Sequence, residues 1–309
     1  MFETHFAMKH RPFRSLPDTQ FYYPASGHEQ VLARLVEAMR AEQGIAVLCG
    51  AAGTGKTLLC HCLIERLEAP ATIFLTHSNF ANRSALLQAI LYDLGKPYEG
   101  KSEQELRLAI TEEILNVFAA GKYTLLIIDE AQNLTAELLE EIRLLTNLEG
   151  RDGKAVQVLL VGQPELLAVL RRAHLENFRQ RVAIWAVLDP LPTDEVVDYI
   201  NAQIRAAGAQ PENVITAEAL KVLADHASGI PRVINHAAHE ALAMAAAGGT
   251  TEVDIEIALE AVATLDSERS DEASANNAMS TASESAAPRS PVEEQLLRRL
   301  FPTEQPVRT

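Results

Sequence analysis

The stretch Gly50-Ala51-Ala52-Gly53-Thr54-Gly55-Lys56-Thr57 constrains every other choice this chain can make. It fits G-x-x-x-x-G-K-[ST], a loop whose glycines let the backbone curl with its N–H groups turned inward onto phosphate oxygens. The flanks suit that use. Ile45 to Leu48 is a short apolar run of the kind that forms a buried strand, and Leu58, Leu59, Cys62, Leu63 and Leu67 then recur at helical spacing. A helix starting here adds its positive N-terminal end to the cradle. The expected nucleotide contacts are Gly50, Ala51, Ala52, Gly53, Thr54, Gly55, Lys56, Thr57 and Leu58. Lys56 is placed to reach the β- and γ-phosphates of a nucleoside triphosphate and Thr57 to ligate Mg²⁺.

A second motif completes the first. Thr124 to Ile128 is apolar after its first residue and ends in Asp129-Glu130. A buried strand of this kind delivers Asp129 to its carboxyl end, where it can hold Mg²⁺ with Thr57. Glu130, one residue on, can polarise an attacking water as general base. An apolar run ending in two carboxylates says little alone, because such pairs also cap helices. Behind a phosphate loop it gains force. Val156 to Val161 is a further strand, ending in Gly162-Gln163-Pro164, and Gln163 is placed to touch the γ-phosphate or the water. Its plainer use would be a strand-end side chain bonded to the backbone.

Strands at Thr72–Thr76 and Ile184–Leu188 bring the number to five, and helical stretches lie between them. That alternation implies a parallel sheet covered on both faces, with ligands at the carboxyl ends of the strands. The predicted fold class is therefore α/β, a P-loop NTPase core with a five-stranded parallel sheet over residues 1–190. From Asp194 the pattern is helical only, giving a small all-α domain over 191–265. Pro231 suits a first helical turn and sets Arg232 at a helix start, where a cation opposes the dipole unless it faces an anion. Residues 266–309, rich in Ser, Ala, Glu and Asn, read as a disordered tail with a short helix at 291–301 carrying Leu296, Leu297, Leu300 and Phe301.

Composition narrows the partners. Lys and Arg number 27 against 42 Asp and Glu, a net charge of −15, which disfavours a nonspecific grip on nucleic acid or anionic lipid. No apolar run approaches the ~20 residues that span a bilayer, and Met1 to Arg14 has no signal-peptide core. The expected location is cytoplasmic. Cys49, Cys60 and Cys62 are too few and too clustered for a disulfide framework, and Cys60-His61-Cys62 points three ways on a helix, so packing is the better reading. The aromatics before the loop, Phe21-Tyr22-Tyr23 among them, could wall an adenine pocket or simply pack on the core.

Taken in order, Pro12-Phe13, Gly50 to Thr57, Ile128-Asp129-Glu130-Ala131-Gln132-Asn133-Leu134, Glu141 to Glu149, Leu160 to Leu166, Gln180-Arg181, Tyr199-Ile200 and Gly229 to Asn235 resemble AAA+ ATPases of the general secretion pathway protein A (ExeA/GspA) type, over roughly residues 1–264. The resemblance implies an αβα core with a helical lid. It implies ATP rather than GTP. It makes Lys56 and Thr57 the Walker A pair, Asp129 and Glu130 the Walker B pair, Gln163 the sensor-1 residue and Arg232 the sensor-2 residue. Arg181, with Arg179 as the alternative, looks like an arginine finger that completes a neighbour's site, so a homo-oligomer is implied. Full-length secretion members continue into a membrane span and a peptidoglycan-binding domain. This chain is expected to lack both and to act at the inner membrane through a membrane-bound secretion or pilus partner. Two other readings stand beside this one: a DNA-dependent regulator similar to transposition ATPases, and a nucleotide switch that does not hydrolyse.

Overall fold

The computed structural model describes residues 2–67, 71–150 and 153–280, with residues 268–280 described as backbone only. Five apolar segments form its sheet: β1 (Ile45–Gly50), β2 (Ala71–Leu75), β3 (Thr124–Ile128), β4 (Val156–Gly162) and β5 (Val182–Leu188). All pairings are parallel, in the order β2-β3-β4-β1-β5. β1, β3 and β4 are buried along their whole length. That is why they read as largely apolar runs rather than alternating ones, and the buried Gln157 of β4 donates its Nε2 to Met39 O at 2.7 Å. The order differs from the chain order at one telling place, since β4 lies between β1 and β3. The register Val47↔Leu160 and Ile128↔Leu160 sets the three strands level, so the residues following each of them emerge side by side.

Helices cover both faces, and alternate residues of each strand choose the face. α1 (Ser26–Arg40) and α2 (Lys56–Arg66) pack Leu32, Leu35, Leu59 and Leu63 against Ala46, Leu48, Leu159 and Val161. On the other side α3 (Arg83–Asp93), α4 (Glu103–Ala119), α5 (Ala136–Leu145) and α6 (Glu165–Leu170) meet Val47, Ile73, Leu126 and Leu160. Cys49 and Cys60 are buried on opposite faces, Cys62 is buried too, and His61 stacks on Phe74 with centroids 5.2 Å apart. These residues serve packing. Helix starts follow the capping chemistry of the sequence, most fully at Ser102, whose hydroxyl accepts from Glu105 N–H while the Glu105 carboxylate accepts from Ser102 N–H.

Beyond β5 the chain is helical, with α7 (Thr193–Ala206), α8 (Ala217–Ala227), α9 (Pro231–Gly248) and α10 (Ile255–Ser280), plus one β-bridge between Ile215 and Val253. The change to helices alone falls in the link between β5 and α7. Residues 1–262 form one compact unit, so α7 to α9 pack with the sheet layers. The N-terminal segment is tied to this helical part. Lys9 and His10 donate backbone N–H groups to Ala207 O, Gln203 Nε2 donates to Phe21 O at 2.7 Å, and Tyr23 meets Tyr199 edge-on. Phe13 and Phe21 are buried. α10 continues to Ser280, past the expected boundary at 265, and residues from 263 on belong to a second unit. Residues 281–309, with the helix expected at 291–301, lie outside the described residues. No helix among the described residues is long and apolar enough to cross a membrane.

One polar contact stabilises the layer of α4 and α5. Glu141 is 1% exposed, and both its oxygens accept from Arg107, at 2.8 Å each. Removing only the arginine strands a buried carboxylate. Arg107→Ala should therefore cost about 3 kcal/mol in urea unfolding, while the paired change Arg107→Met with Glu141→Leu should recover most of it.

Candidate nucleotide site

The loop between β1 and α2 has the backbone its sequence demands. Gly53 and Gly55 sit at φ +82° and +95°, conformations that L side chains rarely adopt, and Gly55 caps α2. Among the described residues, the N–H groups of Gly53, Gly55, Lys56 and Thr57 donate to no backbone carbonyl. A row of unpaired donors at a helix start is the chemistry a phosphate requires. Lys56 is buried, and its ammonium donates to Gly50 O at 2.8 Å and Ala51 O at 2.9 Å. Burial holds its pKa below the usual lysine value, with Glu130 and Asp129 acting the other way. The Thr54 hydroxyl pins the loop from inside by donating to Ala51 O.

The level strand ends bring the second motif alongside. Thr57 Oγ1 donates to Asp129 Oδ2 at 2.7 Å, and the other oxygen, Oδ1, accepts the Glu130 N–H at 2.8 Å. Asp129 N–H in turn donates to Leu75 O, fixing the strand end. A hydroxyl and a carboxylate in contact form an all-oxygen set suited to a hard divalent cation, so these residues fit Mg²⁺. Glu130 follows at φ 54° with its carbonyl accepting from Ser78 Oγ. Its Oε2 accepts from Gln132 Nε2 at 2.6 Å and from Gln163 Nε2 at 3.3 Å, while no residue donates to Oε1 among the described residues.

The helical part touches the loop directly. Arg232 N–H donates to Gly53 O at 3.2 Å, and a Cβ added to Gly53 would lie 2.8 Å from the Arg232 Cβ. Pro231 opens α9, as its sequence indicates, and the Arg232 side chain is exposed beside the loop. Leu58 packs half-buried against the α1/α2 face. Arg181 lies apart from this cluster. It precedes β5, level with the start of β1, and lines a shallow cleft with Gln43, Thr146 and Lys154. β1 has 6 residues, so roughly 20 Å of strand separates Arg181 from its own phosphate loop. Arg179 faces Glu176 at 3.8 Å.

Two residues of the site have no role legible in the sequence. Gln132 is one. The other is His28, buried in α1, whose Nε2 donates to Thr54 O at 2.9 Å. Nearby, Glu195 of α7 accepts the Ser26 N–H at the start of α1. The signal for His28 was a titratable residue two positions into a helix that precedes the loop, which is too common to single out.

Residues 39–170 match the AAA domain family. General secretion pathway protein A of Aeromonas hydrophila is 34% identical over 256 residues, which cover 82% of this chain and 46% of that protein. The chain thus spans about half the length of this relative. Among solved structures, the ORC2 protein of Aeropyrum pernix in its ADPNP–ADP complexes superposes with a TM-score of 0.62 at 19% identity, over 79% of this chain and 71% of that one. The RuvB branch-migration motor of Thermotoga maritima gives a TM-score of 0.52 at 17% identity, over 80% and 73%. These structural likenesses speak for the fold.

Gly53→Ala should abolish ADP binding measured by calorimetry, because the new methyl group needs both a strained φ and space that Arg232 occupies. Gly27→Ala, where nothing lies within 4 Å, should leave binding intact. A second expectation concerns pH. Burial lowers the His28 pKa below 6.5, against weaker opposing pulls from Thr54 O, Glu195 and Glu29. The unfolded chain then binds the proton more readily, so His28 contributes stability that is complete above pH 6.5 and declines as pH falls below it. Melting temperature should drop between pH 7.5 and about 5.5, and His28→Gln should flatten that slope.

Proposed function

We propose that this chain, an AAA-domain protein similar to general secretion pathway protein A over most of its length, is an Mg²⁺-dependent ATPase whose turnover remodels a larger assembly. The observation that carries this reading is the 2.7 Å contact between Thr57 and Asp129 with Glu130 next in the chain. The two oxygens are in this reading the cation set, and Glu130 is the base beside the phosphate cradle. In this reading the loop N–H groups take the phosphates, and Lys56 leaves the carbonyls of Gly50 and Ala51 to neutralise their charge. Mg²⁺, held by Thr57 and Asp129, would stabilise charge on the β- and γ-oxygens. Water gives a proton to Glu130 Oε1 as its oxygen bonds to the γ-phosphorus and the bond to the β-phosphate oxygen breaks, leaving ADP and phosphate. Gln163 senses the γ-phosphate. Arg232, at the start of α9, reports the nucleotide state to the helical lid.

Arg181 belongs in the site of a neighbouring copy. Its distance from its own loop supports this, because a residue at the amino end of the strands reaches a phosphate only across a subunit boundary. A homo-oligomer follows, working in the cytoplasm and held peripherally at the inner membrane through a membrane-bound secretion or pilus protein. ATP as the nucleotide, and secretion as the setting, rest on the similarity to general secretion pathway protein A.

ATP turnover measured against protein concentration, with and without duplex DNA, tests the proposal. Specific activity should rise with concentration, fall about 10³-fold in Arg181→Ala and ignore DNA. Glu130→Gln should stop turnover while ADP still binds. Flat activity across concentration would remove Arg181 from the site, and strong stimulation by DNA would replace the secretion setting with a DNA-dependent one.

A further inference from the structure

The two glutamines on Glu130 are not equivalent. Gln132 sits in the 3₁₀ turn Ala131–Asn133, and its side-chain amide is held at both ends. Nε2 donates to Glu130 Oε2 at 2.6 Å, and Oε1 accepts the backbone N–H of Gln163 at 3.1 Å. An amide wedged between an acceptor and a donor has one orientation, because reversing it would set two donors and two acceptors face to face. Gly162, the last residue of β4, makes the room. A Cβ there would lie 2.7 Å from Gln132 Oε1, its nearest neighbour, and 3.0 Å from Leu166 Cδ2. The Gln163 side chain, by contrast, reaches the same Glu130 oxygen at 3.3 Å.

The backbone of Glu130 is already fixed by the Asp129 carboxylate at its N–H and by Ser78 at its carbonyl. Only its side-chain torsions remain free. Gln132 removes that freedom through Oε2, which leaves Oε1 open.

We infer that Gln132 is the positioning residue that aims the Glu130 carboxylate, and that the Gln163 contact is the exchangeable one. The inference rests on the reading of Glu130 as the base. When a γ-phosphate draws the Gln163 amide away, Gln132 keeps Oε1 directed at the water, because its own anchor is the Gln163 main chain and not the side chain. One residue therefore signals the phosphate without the base losing its aim.

The test uses the whole chain with Mg²⁺ and ATP, comparing Gln132→Ala, Gly162→Ala, their double variant, Gln132→Glu and Glu130→Gln. Gln132→Ala should lower kcat about 10- to 100-fold, with KM and ADP affinity unchanged within about twofold. Gly162→Ala should do the same by displacing the amide. The double variant should be no worse than either single change, since both remove one contact. Gln132→Glu keeps the shape but loses the donor, so it should lose at least as much as Gln132→Ala. This arm stands even if Gly162→Ala does not fold. Additive losses in the double variant, wild-type kcat in Gln132→Ala or Gln132→Glu, or a change confined to KM would overturn the positioning role. Each would leave the base reading intact so long as Glu130→Gln stops turnover. Wild-type turnover in Glu130→Gln would overturn both.

Discussion

One hydrogen bond, from the Thr57 hydroxyl to the Asp129 carboxylate, joins two halves of a site that are 72 residues apart in the chain. It depends on the sheet more than on either residue. β1 and β3 are not neighbours; β4 fills the place between them and sets their ends level. Any register slip by one residue would turn every side chain of a strand to the opposite layer and carry Asp129 away from Thr57. The buried faces of β1, β3 and β4, packed from both sides, are what forbid that slip. The core therefore has a direct chemical consequence, which is the oxygen pair that suits a cation.

The phosphate loop is restrained by groups that lie far from it in sequence. His28 holds Thr54 O from α1, and Arg232 holds Gly53 O from α9. α1 is itself tied to the helical region where Glu195 accepts the Ser26 N–H. A change in loop geometry on nucleotide binding would thus be felt at two points of the helical region, through short chains of hydrogen bonds. The N-terminal segment lies over this same region, with Phe21, Tyr23 and the Ala207 carbonyl in the contact. It adds apolar burial where a helical layer alone would leave its face open.

The charged groups divide between two roles. Glu141, Glu130 and Asp129 each meet named donors inside the fold, whereas Arg181 is exposed and stands at the opposite end of the strands from its own loop. Buried charge needs a partner within the chain, because leaving water is costly for an unpaired ion. An exposed arginine keeps its hydration and has no such need, and the Arg181 charge acts on the Glu149 carboxylate.

The sequence by itself determined the elements and the chemistry of each half-site. Gly53, Gly55, Lys56 and Thr57 could be read because a phosphate loop needs those residue types at fixed spacing, and the strands because burial on both faces leaves few polar residues in a run, Thr124 and Gln157 among them. The helical start at Pro231 was legible for the same local reason, a fixed φ. Gln132 lay within the quoted stretch Ile128 to Leu134, but what it does was not legible, and His28 stood in no motif. A single glutamine or histidine carries no periodicity, and the contacts of these two include partners 31 and 26 residues away, Gln163 and Thr54. The aromatics Phe21, Tyr22 and Tyr23 likewise offered two uses in sequence, and only the folded chain shows that Tyr23 meets Tyr199 and that Phe21 O accepts from Gln203. Tertiary structure decided these matters because strand order and helix contact are set by which apolar faces bury one another, and that sum is taken over the whole chain rather than over any window of it.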